Sequence, residues 1–287
     1  DYIDYTMASN DRRSADYQLP FITLDNDEHW GDIMYFQSLP KTVPLVTPTA
    51  QELADLAIIK QTYVNLIKGS APSVSSISTA TAKYDALNIS YVGGIVKGNP
   101  IYGKDYANAE NIQAVEDYLL TFARDVAFTS STTSKDYFIN SIRYLLDQGY
   151  ADGSAMETIH HIGYSFRNIP LAIHLMKTEL ETAGLWNEAR KMVDWYAAVD
   201  CIWEPTAEES NMDDANTRSI SRLGACLYKT TDAEKVQYLK GYRNYIENFL
   251  TLYPKEGQGL KVDFTGFHHF AYYPGYAFLG YNSLAEV

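Results

Sequence analysis

The sequence predicts an all-α chain of antiparallel helical hairpins after residue 45, and three observations predict it. From residue 109 onward, apolar residues return at helical spacing in one run after another. Helix-start signals open two of the helical stretches. Neither a series of short strand patterns nor a Gly-rich phosphate loop occurs.

Residues 1–45 differ in texture from the rest. The stretch "DYIDYTMASNDRRSADYQLPFITLDNDEHWGDIMYFQSLP" has short apolar runs and turn residues but no sustained helical period. That predicts irregular structure or strand remnants, the linker or tail of a preceding domain. In "TPTAQELADLAIIKQTYVNLIK", Thr49 is followed three residues later by Glu52, and Leu53, Leu56, Ile59, Tyr63 and Leu66 follow at helical spacing. Residues 69–108, rich in Ser, Thr, Ala and Gly, predict a long loop with little regular structure. Helices are then predicted over 109–128, 134–148, 166–182, 186–200, 214–228 and 231–252. The last opens on "TDAE", a capping box, and carries Val236, Leu239, Tyr242, Tyr245, Ile246 and Phe249 on one side. Loops joining such hairpins can line one groove.

With 287 residues and 46% hydrophobic content, the chain can bury one large core or two small ones. Its 24 tyrosines against 11 phenylalanines suit a surface that binds large polar ligands such as sugars. A net charge of −13 argues against nucleic acid and gives no general attraction to a polyanion or an anionic membrane. An anionic substrate would therefore need a local cluster of Arg, His and Asn. No apolar run is long enough to span a membrane. The chain starts without Met and without a signal-peptide pattern, so a mature or trimmed piece is expected. Cys201 and Cys226 are too few for a disulfide framework and lack metal-ligand spacing, which predicts two buried thiols.

Chemistry concentrates in three places. His160 and His161 precede Tyr164 and Arg167 in "DGSAMETIHHIGYSFRNIP", and His268 and His269 stand in "DFTGFHHFAYYPGYAFLGYNS" ahead of Tyr272, Tyr273, Tyr276 and Tyr281. Phenols and imidazoles need hydrogen-bond partners once they leave water, so the second stretch reads as a polar binding surface. Adjacent histidines point in different directions and neither pair has zinc-site spacing, so one imidazole of each pair is the functional candidate and no metal ligand is assigned. The third place is "EESNMDDANTRSISRLG", which brings Asn216, Arg218 and Arg222 to a helix start, where an anion could be held. Equally, Asp213 or Asp214 could cap that helix and pair with the arginines.

The segment "TGFHHFAYYPGYAF" resembles the catalytic segment of the chondroitin sulfate ABC lyases of polysaccharide lyase family 8. There a His precedes Tyr-Pro-Gly-Tyr with the second Tyr seven residues on, the spacing of His269 and Tyr276 here. "HHIGYSFR" and "NTRSISR" resemble two further motifs of that family in the same order, over residues 160–276. "DFTG" stands in place of the family's Asp-Gly-Thr, and Phe270 stands where a Glu can occur. The resemblance implies an incomplete (α/α) toroid over residues 46–287, with residues 1–45 entering from an N-terminal β-sandwich. The family's remaining Arg and Glu lie beyond the second Tyr and outside this chain, so it is expected to be a fragment, inactive on its own.

The implied reaction is β-elimination at a uronic acid. Asn216 and His269 would neutralise the substrate carboxylate. Tyr276 would remove the C5 proton and return one to the leaving oxygen; a free phenol titrates near about 10, so it needs positive charge nearby. His160, in preference to His161, would be the second base for the other C5 epimer, a duty suited to imidazole. The substrate-binding candidates are His161, Arg167, Arg218 and His268, with Tyr272, Tyr273, Trp195 and Trp203 as sugar platforms. Calcium or magnesium assists some relatives and is the one cofactor the resemblance allows. A monomer acting on a glycosaminoglycan, secreted or periplasmic in a bacterium, is expected. Hyaluronan or another uronate polymer, or a non-catalytic carbohydrate-binding role for the same helices, are the competing readings. A hydrolase needs two carboxylates flanking the bond, and the adjacent Asp213 and Asp214 are poorly placed for that.

Overall fold

The computed structural model describes residues 35–99, 109–153, 163–204, 212–251, 259–260, 265–268, 271–272 and 274–287. Among these the chain is mostly helical. In chain order the elements are α1 (Ala50–Lys68), α2 (Val74–Ala86), strands β1 (Ser90–Val92) and β2 (Ile95–Lys97), α3 (Ala109–Thr129) and α4 (Thr132–Asp147). Then come α5 (Asn168–Leu175), α6 (Lys177–Thr182), α7 (Trp186–Tyr196), a 3-10 helix (Val199–Trp203), α8 (Met212–Leu227) and α9 (Asp232–Phe249). Strands β3 (Gly259–Leu260), β4 (Gly266–His268) and β5 (Ala271–Tyr272) precede the last helix, α10 (Pro274–Ala285). Two compact units result, one being Lys68–Tyr196 and the other Tyr35–Ile67 with Ala197–Val287.

In the first unit the described part of the loop expected over 69–108, residues 69–99, is instead the helix α2 followed by a hairpin, and 100–108 lie outside the described residues. Ser73 caps α2 by accepting the Ser76 N–H at 3.1 Å. Its Ser and Thr content gives poor helix propensity, so tertiary packing decides the outcome. Tyr84 meets Tyr118 and Phe122 of α3 edge-on, at 6.0 and 6.3 Å, and lies 4.4 Å from Tyr137 of α4. Such ring pairs contribute about 0.5–1.5 kcal/mol each beyond the area they bury. Strands β1 and β2 pair antiparallel, with Ser90 opposite Lys97, around Gly93 and Gly94 at φ 61° and 83°. Two successive positive φ values are what a tight hairpin turn demands.

Helices α3 and α4 pack together across a two-residue connection in which Ser131 caps α4 through the Ser134 N–H, at 3.2 Å. So short a link makes consecutive helices antiparallel neighbours. The single helix expected over 166–182 is broken at Met176, which leaves helical geometry at φ −102°, ψ 20°. The helix expected over 186–200 ends at Tyr196, ahead of Ala198 at a left-handed φ of 46°. Tyr118, Phe122, Phe138, Ile142, Ile173 and Met192 are among this unit's buried core residues.

In the second unit both expected caps form. Thr49 and Glu52 exchange reciprocal bonds of 3.2 and 2.6 Å at the start of α1, and Thr231 and Glu234 do so at 3.1 and 2.8 Å before α9. The buried stripe of α1 is Leu56, Tyr63 and Ile67, while Leu53 and Leu66 are 42% and 45% exposed. At 100° per residue, Tyr63 and Ile67 fall within about 20° of Leu56, whereas Leu66 is about 80° away. Helix α9 buries Val236, Tyr242, Tyr245 and Phe249 as expected. Strands β3, β4 and β5 form a small antiparallel sheet, with Leu260 opposite Gly266 and His268 opposite Ala271, where no strand was expected. Helix α10 likewise stands where the periodicity indicated none.

Candidate active site

The site is built where α10 packs along α8. Met212, Ala215 and Phe249 form a buried cluster, and Tyr276, Tyr281 and Leu284 of α10 pack against it. Two glycines allow the approach. A Cβ on Gly280 would lie 2.8 Å from the Met212 carbonyl oxygen, and a Cβ on Gly266 of β4 would overlap the Ala277 methyl. Helix α10, which carries Tyr276, is thereby seated between α8 and the strand that carries His268. Tyr276 is half-buried, three residues into α10 behind Pro274, a residue suited to a first helical position.

Asn216 lies on α8 with only 8% of its surface exposed. The Ser283 hydroxyl of α10 donates to its backbone carbonyl at 3.1 Å and stands 3.4 Å from its amide oxygen Oδ1. With Oδ1 facing that hydroxyl, the amide N–H groups are the donors left to meet a ligand. Ser283 was not singled out from the sequence, and nothing in its neighbours marks it.

For Arg222 the structure decides between the two open readings, while Arg218 also pairs with Asp214. Asp214 accepts from Arg218 Nη1 at 3.1 Å and from Arg222 Nη2 at 3.0 Å, with Arg222 Nη1 close to its other oxygen. Arg222 is 3% exposed, and its Nε donates to the Ala197 carbonyl at 2.9 Å. It is therefore a structural cation, not an anion receptor. Burial pushes the Asp214 carboxyl upward, yet the two guanidiniums outweigh this and hold it below the ordinary carboxylate range. Committed in this way, Asp214 cannot be one of two free carboxylates flanking a bond. Arg218 remains a half-buried cation on the helix that bears Asn216.

Trp195 and Trp203 are corrected. Each is 1% exposed, and a stacking platform must present a ring face to solvent. Trp203 is a core residue: its indole N–H donates to Asp200 at 3.1 Å, and its ring meets Tyr238 edge-on at 5.1 Å. Cys201 and Cys226 are buried free thiols as expected, and burial pushes the Cys201 thiol up to about 12.

In the other unit, Arg167 sits at the N-cap of α5 with its guanidinium 5.8 Å over the Tyr164 ring. His160, His161, His269 and Tyr273 lie outside the described residues, and His268 and Tyr272 are placed by their strand backbone. Among the described residues, no three His, Cys, Asp or Glu side chains converge as a metal site would need.

The chain belongs to the family described as "Lyase, catalytic", whose model matches residues 43–287. It is 28% identical over 311 residues to a chondroitin sulfate ABC exolyase of Bacteroides thetaiotaomicron, covering 99% of this chain and 30% of that protein. To a chondroitin sulfate ABC endolyase of Proteus vulgaris it is 28% identical over 320 residues, covering 100% of this chain and 30% of the relative. A chondroitin sulfate ABC exolyase of Proteus vulgaris is 26% identical over 153 residues, 53% of this chain and 16% of its own. The resemblance drawn from the three motifs is thus borne out, and the chain spans about 30% of the length of the first two relatives.

Proposed function

We propose that this chain is part of a polysaccharide lyase that cleaves chondroitin and dermatan sulfates by β-elimination at the uronic acid, leaving a 4,5-unsaturated uronate. The observation that carries the reading is the seating of Tyr276 and Asn216 on two packed helices, with Ser283 engaging Asn216. Support comes from the similarity to proteins named chondroitin sulfate ABC lyases. Residues 46–287 are the helical catalytic part, an incomplete toroid, and residues 1–45 lead in from a preceding domain. The substrate is a polymer met outside the cell, so the protein is secreted or periplasmic and acts as a monomer. Among the described residues no helix is long and apolar enough to cross a membrane.

The chemistry sets the order of roles. The C5 proton is poorly acidic while the neighbouring carboxylate keeps its charge, because the developing carbanion adds another. Asn216 donates its amide N–H groups to that carboxylate, and His269 adds a second donor; preorganised donors at developing charge are usually the largest catalytic contribution. Tyr276, as phenolate, takes the proton from C5 and gives it to the glycosidic oxygen leaving C4. His160 takes the proton of the opposite C5 epimer, which makes iduronate a substrate alongside glucuronate. Arg167, Arg218, His161 and His268 hold carboxylate or sulfate groups, and Tyr272 and Tyr273 stack on sugar rings.

The test is to incubate the full-length protein with chondroitin sulfate, dermatan sulfate and hyaluronan, and follow the ultraviolet absorbance of the unsaturated uronate. Absorbance rising with the first two is the expected result; a rise with hyaluronan alone reassigns the substrate. Tyr276→Phe should lower kcat by about 10²–10⁴-fold, the range for a lost acid–base group, with sugar binding retained. Binding without turnover in the unaltered protein would make the domain a carbohydrate-binding module.

A further inference from the structure

Glu116 is a carboxylate inside an apolar helix face. It lies on α3 among Ile112, Val115 and Leu119 and is 6% exposed. Its Oε1 accepts the backbone N–H of Asn168 at 3.2 Å. Asn168 opens α5, and the N-cap residue before it, Arg167, makes no side-chain cap of its own. A helix start has N–H groups without intrahelical partners, and here a neighbouring helix satisfies one of them. The charged groups around Glu116 are Arg167 from the α5 side and Asp117 beside it on α3, itself paired with Lys83 of α2. Burial pushes the Glu116 carboxyl up to about 7, a cost that the Asn168 N–H and Arg167 partly offset.

The tether meets the chain one residue after Arg167. That side chain is half-buried, its guanidinium lies 5.8 Å over the Tyr164 ring, and its Nε is itself buried and has no hydrogen-bond partner among the described residues. No described carboxylate clamps the guanidinium through a hydrogen bond, although the Glu116 charge acts on it, so its terminal nitrogens are the donors a ligand could meet.

We infer that Glu116 is a positioning residue for Arg167, tying the start of α5 to α3 so that the guanidinium meets an acidic group of the polysaccharide at a set place. This rests on the reading of Arg167 as a substrate-binding group. Glu116 itself does not touch the substrate in this arrangement; it acts through the segment that carries Tyr164 and Arg167.

The experiment is a double-mutant cycle in the full-length protein, with initial rates of elimination on chondroitin sulfate. Arg167→Ala should raise KM by about tenfold or more, as loss of a charge-assisted hydrogen bond does. Glu116→Ala should raise KM by about fivefold, the scale of a lost helix cap, with kcat little changed. Glu116→Gln keeps an oxygen for the Asn168 N–H and should restore KM to near the wild-type value. In the Arg167→Ala background, Glu116→Ala should add nothing, because the group it positions is gone. If Glu116→Ala folds too poorly to assay, Glu116→Asp, which draws the oxygen back by one methylene, is put through the same cycle. A KM effect of Arg167→Ala without one from Glu116→Ala, or two effects that add in full, overturns the positioning role alone. An unchanged KM for Arg167→Ala overturns the substrate-binding reading of Arg167, and the inference with it.

Discussion

Asp214 binds two guanidiniums with one carboxylate, on a helix whose formal charges cancel once Asp213 is counted. The same carboxylate holds the fold. Asp214→Asn removes the counter-charge of Arg222 at its buried position, and breaking a buried pair costs about 3–5 kcal/mol. The expected result is a lower denaturation midpoint for the full-length variant. The pH dependence follows from the direction of the shift. Asp214 titrates below its ordinary value of 3.8 in the folded state, so its contribution is fully present above that value and is lost as pH falls through the lower one. Acid unfolding of the wild type should therefore include this loss, and Asp214→Asn should lack it, which an acid titration of the two proteins by circular dichroism checks.

Among the elements, α10 concentrates the consequences of packing. Its Gly280 leaves room for the Met212 carbonyl, and a methyl there would force α10 off α8. Overpacking of this sort costs about 1–3 kcal/mol, and a shift near 1 Å at a reacting group can cost about 10²-fold in rate. Gly280→Ala should thus lower kcat by about ten- to a hundredfold while helical circular dichroism is retained. How far each element is legible varies with where its stability originates. The caps at Thr49 and Thr231 are local and readable, since all the bonding atoms lie within four residues. Helix α2 is not, because its Ser- and Thr-rich sequence forms a helix only against the rings of α3 and α4. Nor is α10, apolar on all sides and holding two glycines that local propensity counts against it. The same holds for β3, β4 and β5, whose partners lie across the sheet.

At the scale of the whole molecule, the chain spans about 30% of the length of its first two relatives. If the proposed elimination also needs the Arg and Glu that the family resemblance implies, the isolated 287 residues are expected to give no unsaturated product. Loss of single catalytic groups can leave residual catalysis, as it does in serine proteases, so the comparison with the full-length protein is made at matched, saturating substrate and over long incubation. Turnover by the isolated chain would mean that the groups named here suffice.

What the sequence determined by itself was the helical class, the two capping boxes, the buried thiols and the motif order that points to a lyase. Each of these is written in residues close along the chain or in composition. Only the tertiary structure decided that Trp195 and Trp203 are core, that Arg222 is sealed against Asp214 while Arg218 stays half-buried, and that Ser283 meets Asn216. Burial and pairing depend on what arrives from distant parts of the chain, and a side chain's type does not say whether water or another helix will cover it.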